Sequence, residues 1–340
     1  MGRSEATRRC QAKGHPRSAR CPTMGPMAAA ASGGTIGARS NARRTPPLAA
    51  ERLFGLLLEV RPLPMMGAML VVLLGARASD RPLAGIDIVL YALSVMLLLY
   101  VAHLRDSIVD WFTRPSPHDS EQGGWWDHGG RLTHAQLSLA LVVVLLLLAT
   151  VVGALMLVRQ ATPWLLVPIL FGLLLALIYS PHLDTNPLSI TIAYPAGIVA
   201  AFVGALLLDG SVSMAEAKMA TALSLLLGFH LAGGKALSDL LDLEEDALLA
   251  KRTVGRVLGA KTTTRLGLLL MVTPIAVIAA GIPAGVFSIG WLPILVLDAL
   301  MVTLTALRVL GGHLLEGIIE SVLGAYLTSL ALLLWWPGGS

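Results

Sequence analysis

From residue 52 onward the chain is a succession of apolar runs, each about twenty residues long and separated by short polar breaks. That pattern leaves few folds open. In hydrocarbon a backbone N–H or C=O finds no water, so a crossing segment must satisfy its own backbone, and apolar runs of roughly 17–25 residues do so as transmembrane helices. The cores of the runs fall at about 54–75, 86–108, 135–158, 163–180, 189–209, 217–240, 263–282, 285–308 and 314–336. Breakers such as Arg77 to Pro82, Gln160 to Pro163, Pro181 to Pro187 and Gly281 to Pro283 separate them. Pro274 and Pro293 lie inside runs, where membrane helices tolerate proline better than soluble ones do. The composition agrees, with 55% hydrophobic residues and only 14% charged, against about 25% charged in a soluble domain. The expected fold is all-α: a polytopic membrane bundle of about nine transmembrane helices around a central cavity.

Residues 1–50 are of a different kind. Eight arginines, Arg3, Arg8, Arg9, Arg17, Arg20, Arg39, Arg43 and Arg44, face a single acid, Glu5, among Ser, Gly, Pro and Ala. No apolar core of signal-peptide length precedes Leu48. The expectation is a disordered basic arm over 1–50 and a transmembrane domain over 51–340. Three accounts of the arm stand: an organelle transit peptide, a polybasic segment on anionic lipid, or a start codon called too early, with Met24 or Met27 as the true first residue. The last is preferred. The two cysteines, Cys10 and Cys21, both lie in the arm, which excludes a disulfide framework for the bundle and argues against a Cys-ligated metal. The net charge of +4 has no basic patch on a polar fold to go with it, so nucleic acid is not an expected partner and membrane lipid is.

Lys and Arg concentrate in cytoplasmic loops of membrane proteins. With the N-terminus inside, one side carries Lys251, Arg252, Arg256, Lys261 and Arg265 after the sixth run, Arg114 and Arg131 after the second, and Arg308. The other side has Arg77, Arg81, Arg159 and Lys218. The two long polar loops then share the cytoplasmic side, in a bacterial cell membrane or, alternatively, an organelle membrane.

Chemistry is concentrated in two acidic segments. Asp106 and Asp110 continue the second run, four residues apart and so on one helical face. Asp239, Asp242 and Asp246 continue the sixth, spaced three and four apart, which on a continuous helix is again one face. A carboxylate facing lipid at depth costs about 2.5–3.5 kcal/mol, and five would cost more than roughly 10 kcal/mol. These residues must face a wet cavity, an ion or the membrane edge. Stacked carboxylates repel, and two such faces from different helices make sense with divalent cations between them. Mg²⁺ is usually held by one or two carboxylates, waters and substrate phosphate oxygens. A solvated helix end explains one acidic cluster well. Two clusters in register on the same side fit a metal–diphosphate site better.

These residues resemble the UbiA family of intramembrane prenyltransferases. Asp239-x-x-Asp242-x-x-x-Asp246, followed by Ala250-Lys251-Arg252-Thr253 and Val257-Leu258-Gly259, is similar to the family's second motif almost throughout. Asp106 and Asp110 match the two later acids of the first motif, while Ala102 and His103 stand where its Asn and first Asp belong. Arg61-Pro62, Tyr179-Ser180-Pro181 and Asn186-Pro187 are further echoes. The resemblance covers the order of motifs over about residues 52–335.

The resemblance implies a Mg²⁺-dependent enzyme acting on an isoprenoid diphosphate. Asp106, Asp110, Asp239, Asp242 and Asp246 would be the metal ligands, the first four of them catalytic. Lys251, Arg252, Arg61 and Tyr179 would be diphosphate partners, in that order of preference. A prenyl acceptor would complete the reaction, in lipid, quinone or terpenoid biosynthesis. A terpene cyclase without acceptor is the alternative, and Ala102 and His103 keep it open. An ion-coupled transporter is the third, opposed by acids that sit at span ends rather than mid-span. Trp125 and Trp126 read as interfacial anchors, His230 and Gly228 as helix packing, Met65, Met66 and Met69 as core, and Gly233-Gly234-Lys235 as too little for a phosphate loop.

Overall fold

The computed structural model describes residues 62–79, 83–113, 134–158, 161–179, 186, 189–248 and 251–335, and every described element is helical. The basic arm, Arg61, Trp125 and Trp126 lie outside the described residues. The long helices are α1 (Pro62–Ala78), α2 (Gly85–Thr113), α3 (His134–Gly153), α4 (Leu166–Ile178), α5 (Ile190–Leu206), α6 (Met214–Ser238), then, after two short helices α7 (Leu243–Leu248) and α8 (Val254–Leu258), α9 (Ala260–Gly281), α10 (Leu292–Leu310) and α11 (Leu314–Leu334). Seven of the described helices are long and apolar enough to cross a membrane, and two shorter apolar ones, Leu63–Ala78 and Pro163–Ile178, accompany them. The chain is thus a multi-pass, all-α membrane protein, and each of the nine expected runs has its helix.

Neighbours in sequence are mostly neighbours in space, as short connections require. Helix α2 packs on α1, α3 and α4, α5 on α1 and α4, α6 on α5, α9 and α11, and α10 on α9 and α11; α11 closes against α1. Lipid supplies no hydrophobic drive between helices, so close approach rests on small residues. Gly233 of α6 and Gly267 of α9 face each other's carbonyls, and Gly228 meets the backbone of Pro195 in α5. The Tyr326 hydroxyl donates to the Leu63 carbonyl and ties α11 to α1. Of the three methionines, Met65 is buried, whereas Met66 and Met69 are exposed and so are not core.

Local signals set the ends. Ser213 and Glu216 form a reciprocal capping box at the start of α6, with bonds of 2.6 and 3.2 Å. Within α6, Ser224–Gly228 forms one π turn. The eighth run begins later than expected, in a turn at Ile289–Trp291 rather than at 285, because Gly285, at φ +71°, closes a turn in which Val286 N donates to Gly281 O. At the end of the bundle remote from the acids, Ser79 Oγ donates to Asp209 Oδ2 at 2.8 Å.

A polar pin lies inside α6, α10 and α11. His230 Nε2 is 3.0 Å from the Ser321 carbonyl and Nδ1 is 3.1 Å from Asp298 Oδ1, and that oxygen accepts from Thr328 Oγ1 at 3.0 Å. All of these side chains are buried. The sequence expectation of a packing role for His230 holds, with a carboxylate partner that it did not anticipate.

The α6–α9 crossing yields a prediction. A Cβ at Gly233 would stand 2.5 Å from the Gly267 carbonyl oxygen, so Gly233→Val must spread the two helices. The expected loss is about 1–3 kcal/mol, read as a lower melting temperature in detergent; an unchanged melting temperature would show that the crossing is looser than this.

Candidate functional site

The second acidic segment does not form one helical face. Helix α6 stops at Ser238, and Leu240 N and Leu241 N bond back to Leu237 O and Ser238 O at 3.1 and 2.9 Å in a turn. The chain restarts as α7 only at Leu243. The expectation that Asp239, Asp242 and Asp246 stack along a continuous helix is therefore wrong. The reason lies downstream, where α8 folds back under the end of α6. Val254 N donates to Asp239 Oδ2 at 3.3 Å, and Gly255 lies so close that a Cβ there would be 2.8 Å from the Asp239 carbonyl oxygen. Only glycine permits that approach.

The fold-back gives each acid its own environment. Asp239 is 2% exposed, with Oδ1 held by Lys235 Nζ at 2.6 Å and Oδ2 by the Val254 amide. Asp246 is also buried and accepts from Thr253 Oγ1 at 2.6 Å. Thr263 Oγ1 in turn donates to Val254 O at 3.1 Å, fixing α8 against α9. Arg256 donates to the Asp246 and Lys251 carbonyls at 2.8 and 2.6 Å and so clamps the loop between them. Asp242 remains on the open side of the turn and is exposed.

The first acidic segment is helical as expected, since α2 runs unbroken through Asp106 and Asp110. Of Asp110 only the helical backbone is described. Asp106 Oδ1 is buried without a hydrogen-bond partner among the described residues, and Lys251 Nζ stands 4.0 Å away. Lys235 lies within electrostatic reach of Asp239, Tyr194 and Asp106, in that order of strength. Asp106 of α2 and the segment after α6 thus lie at one end of the bundle, with the Lys251 ammonium beside Asp106 and that of Lys235 on Asp239. Of the expected diphosphate partners, Lys251 is in this cluster. Tyr179 packs edge-on against Tyr194 with ring centroids 6.4 Å apart. Arg252 is exposed and no hydrogen bond ties it to the acids.

In the sequence Lys235 reads only as part of an incomplete phosphate loop and Arg256 only as a loop charge, and Tyr194 has no role. For Lys235 the signal was present: it is four residues before Asp239, which places both on one face of α6. Tyr194 and Arg256 carried no comparable signal, because their roles depend on the turn and on how α5 lies beside α6.

Although Asp242 is exposed, the partial shielding of its carboxyl from water pushes it above its ordinary value; Lys235 opposes this, Asp246 and Asp239 add to it, and Lys251 opposes it. A cation near Asp242 would relieve that pressure. The oxygen donors suit a hard divalent ion, and the unpartnered buried oxygen of Asp106 faces the same need. Among the described residues no three of His, Cys, Asp or Glu already converge on one point, so ligands would have to draw together around an incoming ion.

This all-α membrane bundle has a UbiA-type fold, as alignment with solved structures shows. The structure aligns with a UbiA homologue from Aeropyrum pernix K1 without ligand at a TM-score of 0.64, with 17% identity over 79% of this chain and 97% of that one. A UbiA homologue from Archaeoglobus fulgidus bound to GPP and Mg²⁺ aligns at 0.58, with 16% identity over 82% and 99% of the two chains. A digeranylgeranylglyceryl phosphate synthase aligns at 0.56, with 14% identity over 84% and 96%. No family profile matches the sequence, and no curated protein does.

A raised carboxyl value stabilises the protonated form, so Asp242 adds stability below its ordinary value of 3.8 and loses it as pH rises through the folded-state value. Asp242→Asn is therefore expected to raise the melting temperature of the metal-free protein at neutral pH, with the gain closing as pH falls below 3.8. An effect of opposite sign would show that the ionised carboxylate is already well balanced.

Proposed function

We propose that the protein is a prenyltransferase that moves a prenyl group from an isoprenoid diphosphate to an acceptor within the membrane, with Mg²⁺ at the acidic site. The observation that carries this is the meeting of Asp106 with Lys251 across the gap between α2 and the loop after α6, at a spacing of 4.0 Å. Two acidic elements from separate helices are thereby held around a space that contains fixed cations. Solved structures of a UbiA homologue from Archaeoglobus fulgidus with GPP and Mg²⁺ and with DMAPP and Mg²⁺ share the fold and support the choice of substrate class and metal.

Asp106 and Asp242, together with Asp110, are the carboxylates we assign to the metal, with Asp246 behind them on Thr253. When bound, Mg²⁺ would supply positive charge to the diphosphate oxygens on which charge accumulates as the allylic C–O bond breaks. Lys251, Arg252 next to it in the chain, and Arg61 from the start of the first run would bind the outer phosphate oxygens. Tyr179 and Tyr194 would flank the reacting carbon with ring faces that tolerate a cationic centre. The apolar helices would hold the prenyl tail and exclude water from the carbocation-like carbon. The acceptor then attacks that carbon, and its proton leaves to water or diphosphate. The acceptor is assigned only as a nucleophilic small or lipophilic molecule, and the site is placed on the cytoplasmic side from the distribution of Lys and Arg.

The test uses detergent-purified full chain with geranylgeranyl or farnesyl diphosphate, Mg²⁺ and a membrane lipid extract as acceptor source. Pyrophosphate release and a prenylated product are expected, with both lost on EDTA treatment. Asp106→Asn and Asp242→Asn are each expected to lower turnover by about a hundredfold or more. Turnover that survives EDTA and both substitutions would sink the assignment. A prenyl hydrocarbon or alcohol formed equally well without acceptor would replace transfer with cyclisation or hydrolysis.

A further inference from the structure

Five acids in two motifs are more than one Mg²⁺ uses, since that ion is usually held by one or two carboxylates with waters and substrate phosphate. Taken alone, the motifs would serve two ions. The structure withdraws two of the five. Asp239 has both oxygens committed, one to the Lys235 ammonium at 2.6 Å and one to the Val254 amide at 3.3 Å, and is 2% exposed. Asp246 is 6% exposed and bonded by Thr253 at 2.6 Å. Asp106, Asp110 and Asp242 remain, enough for one ion.

Lys235 is not a surface lysine that happens to touch an acid. It projects from the last full turn of α6 and is bonded to Asp239 at 2.6 Å on its own helix, and it lies within electrostatic reach of Tyr194 on α5 and Asp106 on α2. Its side chain is 28% exposed, while that of its partner carboxylate is 2% exposed. One of its three N–H bonds is used by Asp239, which leaves two for a ligand. An ammonium fixed between two acidic elements supplies charge where a divalent ion would otherwise be drawn, and it needs no occupancy from solution.

We propose that Lys235, held in place by Asp239, is a built-in cation that takes the position of a second divalent ion, so that this chain binds its diphosphate with one divalent ion. The inference rests on the diphosphate site proposed above. Asp239 is then a positioning residue for Lys235 and not a metal ligand. The ammonium contributes two N–H donors toward the phosphate oxygens in the place of a metal's open coordination positions.

Counting ions tests this without turnover. Full-length protein in detergent is titrated with Mn²⁺ in the presence of inorganic pyrophosphate, and bound Mn²⁺ is read by electron paramagnetic resonance. The wild type is expected to bind one Mn²⁺ per chain with no Mn–Mn broadening, and Lys235→Arg likewise. Lys235→Gln frees Asp239 Oδ1 and is expected to bind a second Mn²⁺, with a broadened spectrum. Two ions in the wild type, or one in folded Lys235→Gln, would overturn the proposal. The wild-type count decides alone if Lys235→Gln does not fold. Absence of pyrophosphate-dependent Mn²⁺ binding in every form is a different result, and it would remove the diphosphate site itself along with this inference.

Discussion

Charge at the end of the bundle governs the rest of this structure. Carboxylates taken out of water cost several kcal/mol each unless a partner meets them, and α2 and α6 deliver theirs to one place. The protein meets that cost with groups from several elements: Lys235 from α6 itself, the Val254 amide from α8, Thr253 from the loop before it, and Lys251 reaching across to Asp106. The Val254 and Thr253 contacts require the chain to turn back after Ser238. The turn, the short helices and the glycine at 255 follow from the need to bring donors under Asp239.

That arrangement divides the acids by role. Those that are buried and hydrogen-bonded fix the shape of the site, and those left open confer its reactivity. Asp239 and Asp246 belong to the first group, while Asp106 and Asp242 belong to the second. The same residue type at regular spacing thus does two different jobs, and burial separates them.

Much of this was legible in the sequence. The nine runs follow from the rule that a membrane helix must be long and apolar, and the helical course of α2 through Asp106 and Asp110 follows from the lack of any breaker there. The failure at Asp239 to Asp246 has a local cause. Three-and-four spacing signals a face only while the helix continues, and Leu240 and Leu241 are ordinary helix formers that give no warning of a turn. The fold-back that accompanies the turn is permitted by Gly255, sixteen residues beyond Asp239 in the chain. Likewise, nothing local pairs His230 with Asp298, which are joined only when α6, α10 and α11 assemble.

The π turn at Ser224–Gly228 has a consequence for how the site is aimed. A π turn holds one residue more than an α turn, and one residue on a helix is about 100° of rotation. Everything in α6 after that turn is therefore rotated about its axis relative to an uninterrupted helix. His230 comes to face α10 and α11, and Lys235 comes to face α2 and α5. Losing a single residue there would leave the helix intact and every side chain present, yet swing the lysine away from the acids it separates. The register of the site is thus stored several turns away, in a segment that touches neither acidic motif.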